Sequence, residues 1–445
     1  MSIQKQKWHD FLSPVRIGEQ HSIDYDNFRS PYQRDKDAII FSDYFRKLQG
    51  KTQVFSLTRN DYIRNRLTHS FEVASVGRSL AEMVGKQVIE RHSLDISLHD
   101  FYVITEAACL AHDIGHPPLA HSGEEAFREF FCKRKAELKQ YVGNQYQDFI
   151  QYEGNAQNIR ILTDLQQPSR NGGMRLTAAV LGAITKYPGL SHYNEGVNSW
   201  TTKKFNFFYK DKHVLESLAS TLSLPSTPRG NEYRRSPLAY LVEASDDICY
   251  SLVDIEDSYI MKVIDYPTTV HLLSAITGGK INKGNLTEIE HVQRLRAKAI
   301  GKVVHEVSEV FLEHENDILD GNFNGDLLDY ISVSGEFKNL TEFAANNVYI
   351  SSVALEVRTA GYNVIDKILE LLVDCAMDYF HNKKDFSSKS HIYLYYMPAL
   401  YRNRILSAKT AYEAIISVTD YVSSMTDKEA IMVYQNFLGA SIPSN

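Results

Sequence analysis

The sequence predicts a mainly α-helical protein with small β hairpins, and three observations support that class. Apolar residues recur at three- and four-residue spacing over long stretches, as in Leu67, Phe71, Ala74, Leu80, Val84 and Val88. That is the period of a helix that buries one face. Extended patches are few and short: Lys204 to Tyr209, Asn347 to Val357 and His391 to Tyr396, the later ones rich in Tyr and β-branched residues. Hydrophobic residues make up 43% and charged residues 23%, a globular balance that excludes a collagen, a disordered tail protein and a disulfide-stapled mini-protein.

Along the chain, helices are expected at 67–89, 100–112, 123–141, 154–165, 174–187, 235–260, 286–314, 361–380 and 408–424. The first rests on the apolar spacing above. The second is an apolar run that meets His112 and Asp113 and is stopped by Gly115 and the Pro117-Pro118 pair. The third begins near Ser122-Gly-Glu-Glu125, a capping-box match. The segment 174–187 is apolar over 176–185 and closes on Lys186 and Tyr187, with Pro188 behind them. The segment 235–260 is mostly apolar yet holds adjacent Asp246 and Asp247. Ser223 to Asn231 and Thr277 to Gly284 read as exposed loops. The second loop suggests a boundary near 265–285. The expected organisation is an N-terminal extension 1–29, a core 30–265 that carries the chemistry, and a helical region 266–445.

Charge and cysteine usage narrow the class further. A formal net charge of −7 over 445 residues argues against a general nucleic-acid binder, although it leaves room for a local basic groove. The four cysteines, Cys109, Cys132, Cys249 and Cys375, form no CxxC pair and read as reduced thiols. The first ten residues lack the apolar run of a signal peptide. No stretch reaches the ~18 apolar residues of a membrane span. A cytoplasmic protein with no membrane partner is expected.

The chemistry concentrates at Ala108-Cys-Leu-Ala-His112-Asp113-Ile-Gly-His116-Pro-Pro-Leu-Ala-His121-Ser-Gly-Glu124. A His-Asp doublet at a helix end can aim both side chains at one point. Imidazole nitrogen with carboxylate oxygen suits Mn, Fe, Co or Zn. Two more ligands must come from elsewhere, and His69 and the Asp246-Asp247 pair are the candidates. An acidic pair in an apolar helix needs a reason to be buried. Asp246, Tyr250 and Asp254 recur at i, i+4 and i+8 and share one helix face, whereas Asp247 is rotated by roughly 100°. Arg66 precedes His69 by three residues and lies on the same side of its helix. His121 and Glu124 form an i, i+3 pair where a helix begins, an arrangement that fits either a cap or an acid/base pair. On residues alone the set fits a metal site or a group of satisfied polar side chains.

These residues also carry a resemblance. The pattern His69…His112-Asp113…Asp246 resembles the H…HD…D signature of the HD superfamily of metal-dependent phosphohydrolases. More narrowly, five blocks resemble the bacterial dGTP triphosphohydrolase (dGTPase) family: Phe45-Arg-Lys-Leu-Gln-Gly-Lys-Thr-Gln-Val-Phe55, Arg64-Asn-Arg-Leu-Thr-His-Ser70, Ala111-His-Asp-Ile-Gly-His-Pro-Pro118, Glu153-Gly-Asn-Ala-Gln157 and Glu243-Ala-Ser-Asp-Asp-Ile-Cys-Tyr250. Asp420-Tyr-Val-Ser-Ser-Met-Thr-Asp427 resembles a C-terminal block of that family, with Ser424 where a Gly is expected.

The resemblance implies an HD-domain helical core over 30–265 and a C-terminal helical extension over 266–445 that completes the substrate pocket and the subunit contacts. It implies His69, His112, Asp113 and Asp246 as ligands of a divalent ion (Mn2+, Mg2+, Co2+ or Fe2+). It implies His121 and Glu124 as the catalytic pair. Arg66, His116, Asn155, Lys186 and Tyr187 would hold the triphosphate and Gln53 the sugar. Tyr250 would pack on the substrate, with Asp254 near the 3′-hydroxyl. The implied reaction converts dGTP and water to deoxyguanosine and tripolyphosphate. A broad dNTPase, an HD-type phosphodiesterase or 5′-phosphatase, and a non-catalytic nucleotide or single-stranded DNA sensor are the alternatives. Family members of this type also imply a homo-hexamer and a single-stranded DNA or nucleotide effector.

Overall fold

The structure is a computed structural model that describes residues 2–18, 29–55, 62–169, 172–191, 204–228, 232–279 and 281–440. Within its helices the side chains at 120, 121, 353, 354, 357 and 384 lie outside the description. Ten helices shape the region of interest. They are α1 (Arg66–His92), α2 (Leu98–Ala111), α3 (Ala120–Lys133), α4 (Gly154–Arg160), α5 (Ala178–Ile184), α6 (Pro237–Ile260), α7 (Glu288–Glu313), α8 (Ser352–Asn382), α9 (Ala411–Ser423) and α10 (Asp427–Phe437).

Their starts are written locally. Asn65 and Thr68 form a reciprocal capping box at α1, as do Thr287 with Glu290 at α7 and Thr426 with Glu429 at α10. Ser97 caps α2, and Pro237 occupies the first turn of α6, where its missing N–H costs nothing.

Glycine sets how closely the central helices approach. A Cβ on Gly77 of α1 would stand 2.5 Å from Cys109 Sγ of α2, and one on Gly85 would stand 2.5 Å from the Phe101 ring. The absent side chains let α1 and α2 pack backbone against neighbour, which brings His69 and His112 onto one point.

Two apolar clusters result. The larger joins α1, α2, α5, α6 and α7, with Val73, Leu80, Ile104, Val180, Leu241 and Val303 in its centre. The second joins α3 to α8, α9 and α10 through Phe127, Phe131, Ile368, Leu372, Ile415 and Val433. A buried ion pair ties α4 to α9. Arg160, with 0% of its side chain exposed, directs Nε and Nη2 at the two oxygens of Asp420 (2.7 and 2.8 Å) and Nη1 at Asp211 (3.1 Å).

Of two extended patches expected from the sequence, one is helical and the other links two helices. His391 to Tyr396 lies in a helix, Ser388–Tyr396, capped by Ser387, with Leu394 buried and Ile392, Tyr395 and Tyr396 exposed. His391 stacks on Tyr395 at 4.2 Å, the i, i+4 neighbourhood of a helix. Helical packing outweighed the β-propensity of these aromatics. Asn347 to Val357 joins the end of one helix, Ser334–Asn347, to the start of α8 at Ser352. Among the described residues β pairing takes the form of isolated bridges, including Leu190 with Phe207 inside the third patch. No helix of the described residues is long and apolar enough to cross a membrane.

Removing one partner from the Arg160 pair strands a buried carboxylate. Arg160→Met is expected to lower unfolding free energy by about 3–5 kcal/mol in urea titration, whereas a loss under ~1 kcal/mol would show the pair to be dispensable.

Candidate metal and phosphate site

The site is built where α2 stops. Asp113 follows His112 directly, and the chain then turns through Gly115, where a Cβ would stand 2.1 Å from the Asn158 backbone nitrogen. His112 Nδ1 lies 2.6 Å from the Cys109 carbonyl oxygen. A carbonyl only accepts, so Nδ1 carries the hydrogen. Nε2 of the same ring is buried and has no hydrogen-bond partner among the described residues. Asp113 Oδ1 and Asp246 Oδ1 each stand 3.5 Å from it. His69 Nε2, at the start of α1, is 3.1 Å from the same Asp246 oxygen. One ligand atom each from His69, His112 and Asp246 falls within a 4.8 Å group.

Two imidazoles and a carboxylate converging in this way fit a divalent cation. A neutral Nε2 would otherwise aim its lone pair at two carboxylates, and a proton or a metal ion resolves that repulsion. Burial opposes charge on His112, but Asp113 and Asp246 outweigh it and lift its pKa to about 9. Burial would raise the Asp246 carboxyl, yet His112 and His69 hold it well below the usual range. Asp113 behaves alike, held down by Arg66, His112 and His116. Its Oδ2 takes the Arg66 guanidinium at 2.7 Å and its Oδ1 lies 3.0 Å from His116 Nε2. Arg66 and His116, expected on the triphosphate, therefore also orient a candidate ligand.

A cavity of about 600 Å³ opens beside this group. His112, Asp113, His116 and Asp246 lie on it, together with Glu124, Asn155 and Lys186. Lys186 Nζ is 3.1 Å from Glu243, which Arg235 also grips. Burial opposes its charge, but Glu243 and Asp247 keep the ammonium pKa well above its ordinary value. The Lys186 and Lys204 ammoniums lie 5.7 and 5.8 Å from the Tyr187 ring centre, within cation–π reach. Asn206 joins two of the expected phosphate positions, accepting from Tyr187 N at 2.6 Å and donating to the Asn155 carbonyl at 3.2 Å. Glu124 accepts from Gly154 N at 2.8 Å. The side chain of His121 lies outside the described residues; its backbone is in the first turn of α3.

A second group runs along α6 from Asp246. Tyr250 stacks on Tyr349 at 5.6 Å, and the Tyr349 hydroxyl donates to Asp254 at 2.8 Å. Burial pushes the Asp254 carboxyl well above its ordinary pKa. Gln53 sits in the loop before α1 and its Oε1 is buried without a partner among the described residues. Gln53, Tyr250 and Asp254 are not among the residues described as lining the 600 Å³ cavity.

The HD domain family matches residues 66–144, which hold His69, His112, Asp113 and Glu124. The phosphohydrolase-associated domain family matches residues 331–436, which hold Tyr349. The chain is 36% identical over 446 residues to a deoxyguanosinetriphosphate triphosphohydrolase-like protein of Synechocystis, spanning 98% of this chain and 100% of the relative. This chain belongs to the deoxyguanosinetriphosphate triphosphohydrolase-like family of HD-domain proteins. A protein of the same description from Listeria monocytogenes is 30% identical across 98% of the chain and the whole of the relative. A deoxyguanosinetriphosphate triphosphohydrolase of Yersinia enterocolitica is 29% identical over 76% of each.

Within this HD-domain chain, sequence reasoning missed Lys204, Arg128 and Glu153 on the cavity wall, Asn206 behind it and Tyr349 on α6's polar face. Lys204 falls in a patch read only as extended, and Tyr349 in a patch read as a strand. Arg128 carried a weak signal, since it follows Glu124 by one helical turn and its Nη1 lies 3.9 Å from that carboxylate.

The ligand group makes a direct prediction. Asp246→Asn is expected to reduce bound divalent metal by more than about tenfold in elemental analysis while far-UV circular dichroism stays unchanged. Undiminished metal content would remove Asp246 from the ligand set.

Proposed function

We propose that the chain hydrolyses deoxynucleoside triphosphates, with dGTP preferred, by attack of water on the α-phosphorus, releasing a deoxynucleoside and tripolyphosphate. One observation carries this reading: the unpartnered, buried Nε2 of His112 faces two carboxylates at the edge of a cavity that also holds Lys186, Lys204 and Arg128.

His69, His112, Asp113 and Asp246 would hold the metal ion. A bound divalent ion supplies a lowered water pKa and charge neutralisation at the phosphate. Lys186, Lys204 and Arg128 attract the triphosphate and stabilise charge that builds on its oxygens in the transition state. Glu243 keeps Lys186 charged and aimed until phosphate oxygens replace its carboxylate. Asn155 and Tyr187, linked through Asn206, hold the tail in register. Glu124, fixed by Gly154 N, is the carboxylate that orients His121, and His121 moves the proton between the water and the 5′-oxygen of the leaving deoxynucleoside.

The sugar lies along α6 in this reading. The stacked rings of Tyr250 and Tyr349 offer a flat wall against C2′, which disfavours a ribose hydroxyl. Asp254, with its carboxyl pKa raised and Tyr349 donating to it, meets the 3′-hydroxyl, and Gln53 uses its free carbonyl on the sugar from the other side. The guanine preference rests on what relatives that span the whole chain are called.

Incubation with each of the four dNTPs and GTP under Mn2+ or Mg2+, followed by chromatography, tests this reading. Deoxynucleoside plus tripolyphosphate is expected, fastest from dGTP and slowest from GTP. Monophosphate plus pyrophosphate would refute the chemistry, and equal rates on all four dNTPs would refute the base preference. Lys204→Ala is expected to raise KM for dGTP by roughly tenfold, the effect of losing one charge-assisted contact. An unchanged KM would place Lys204 off the substrate.

A further inference from the structure

The C-terminal block ends in Asp427, which the functional reading above does not use. Its carboxylate is buried, at 3% exposure, yet hydrogen bonds reach it from two distant segments. Oδ1 accepts from Leu119 N at 2.7 Å. Oδ2 accepts from Thr52 N at 3.0 Å and from the Thr52 hydroxyl. Position explains why a charge is tolerated here: Asp427 is the first residue of α10, where the helix dipole favours an anion.

What the carboxylate holds is more telling than that it is buried. Leu119 sits in the left-handed region, at φ 67° and ψ 33°, immediately before α3. A leucine there costs about 1–2 kcal/mol and persists only when its surroundings impose it. The bond to Asp427 fixes that turn, and α3 leaves the turn with His121 in its first turn and Glu124 one step on. Ser122 Oγ, donating to the Leu119 carbonyl, closes it from the other side. Thr52 immediately precedes Gln53. One side chain therefore registers the start of the helix bearing Glu124 against the loop bearing Gln53.

Neighbouring contacts act in the same sense. Buried Lys51 donates to the His116 carbonyl and, at 2.9 Å, to the Ser423 carbonyl. Lys47 donates to the Ser424 carbonyl at 2.9 Å. A Cβ on Gly50 would stand 2.8 Å from Thr426 Cγ2, so the loop and the C-terminal segment are in close contact. All of these bonds end on backbone atoms, which fixes the path of the chain.

We propose that Asp427 is a positioning residue: a single carboxylate from the C-terminal segment locks the Leu119 turn and the Thr52 loop together and so sets Glu124 and Gln53 at their working positions. This rests on the hydrolytic reading of the site. The test compares full-length Asp427→Asn with Glu429→Gln. Glu429 belongs to the capping box of the same helix, accepting from Thr426 N at 2.8 Å, and its other side-chain contact, with the partly exposed Lys47 ammonium at 3.3 Å, reaches neither Leu119 nor Thr52.

Asp427→Asn keeps the size of the side chain but puts an amide donor against a backbone donor. Its kcat for the best dNTP is expected to fall by roughly tenfold to a hundredfold, the cost of misplacement near 1 Å. Its metal content should stay within about twofold of wild type, and any rise in KM should be smaller than the fall in kcat. Glu429→Gln should keep kcat within about twofold even where its thermal midpoint drops as far. Amide hydrogen exchange supplies a readout independent of turnover. Peptides covering 48–53 and 114–124 should both lose protection in Asp427→Asn and neither in Glu429→Gln. Wild-type kcat in Asp427→Asn, or activity losses in both variants that track lost stability, would overturn the proposal. A wild-type protein inactive on every dNTP would sink the hydrolytic reading instead, and unchanged exchange in both segments would then sink this one as well.

Discussion

A ring nitrogen that faces two carboxylates is the constraint around which this molecule is arranged. His112 commits one nitrogen to the Cys109 carbonyl, a bond available only because the residue closes a helix three positions on. The second nitrogen has nowhere to turn, since Asp113 and Asp246 hem it in at 3.5 Å. Such a grouping is costly without a positive charge in its midst. In the reading proposed above for this HD-domain chain, that charge is a metal ion.

Much of the scaffold serves this convergence. Gly77 and Gly85 let α1 and α2 approach closely enough for His69 and His112 rings to sit 5.4 Å apart. Arg66, one turn before His69, reaches Asp113 and keeps it ionised despite its burial. The cavity takes Ala183, Ile184 and Val242 from the larger apolar cluster and Glu124 from α3, which packs in the second. Relative placement of the two clusters then matters to the chemistry, and the Arg160–Asp420 pair is one buried bond that fixes it.

The helices and the candidate residues that converge on His112 were legible in the sequence for a physical reason. Helical periodicity is local, and His112 and Asp113 are marked by the Gly115 and Pro117-Pro118 stop beside them. The helical phase alone set Asp246, Tyr250 and Asp254 on one face. Residues that act through distant contact left no such mark. Tyr349 reaches Asp254 across 95 positions, and Lys204 reaches the cavity from a short extended segment. Tyr-rich 391–396 misled because β-propensity reports a half-buried pleated surface, and here a helix supplied the half-buried surface instead. Arg66 was expected on phosphate, and its bond to Asp113 could not be read from spacing.

Diffraction from crystals grown with Mn2+ and recorded at the manganese absorption edge addresses the arrangement most directly. A single strong anomalous peak within coordination distance of His69, His112 and Asp246, with His112 Nδ1 still on the Cys109 carbonyl, is the result expected. A peak elsewhere, or none while His112 Nε2 faces the two carboxylates alone, would contradict the reading of these side chains as a metal site.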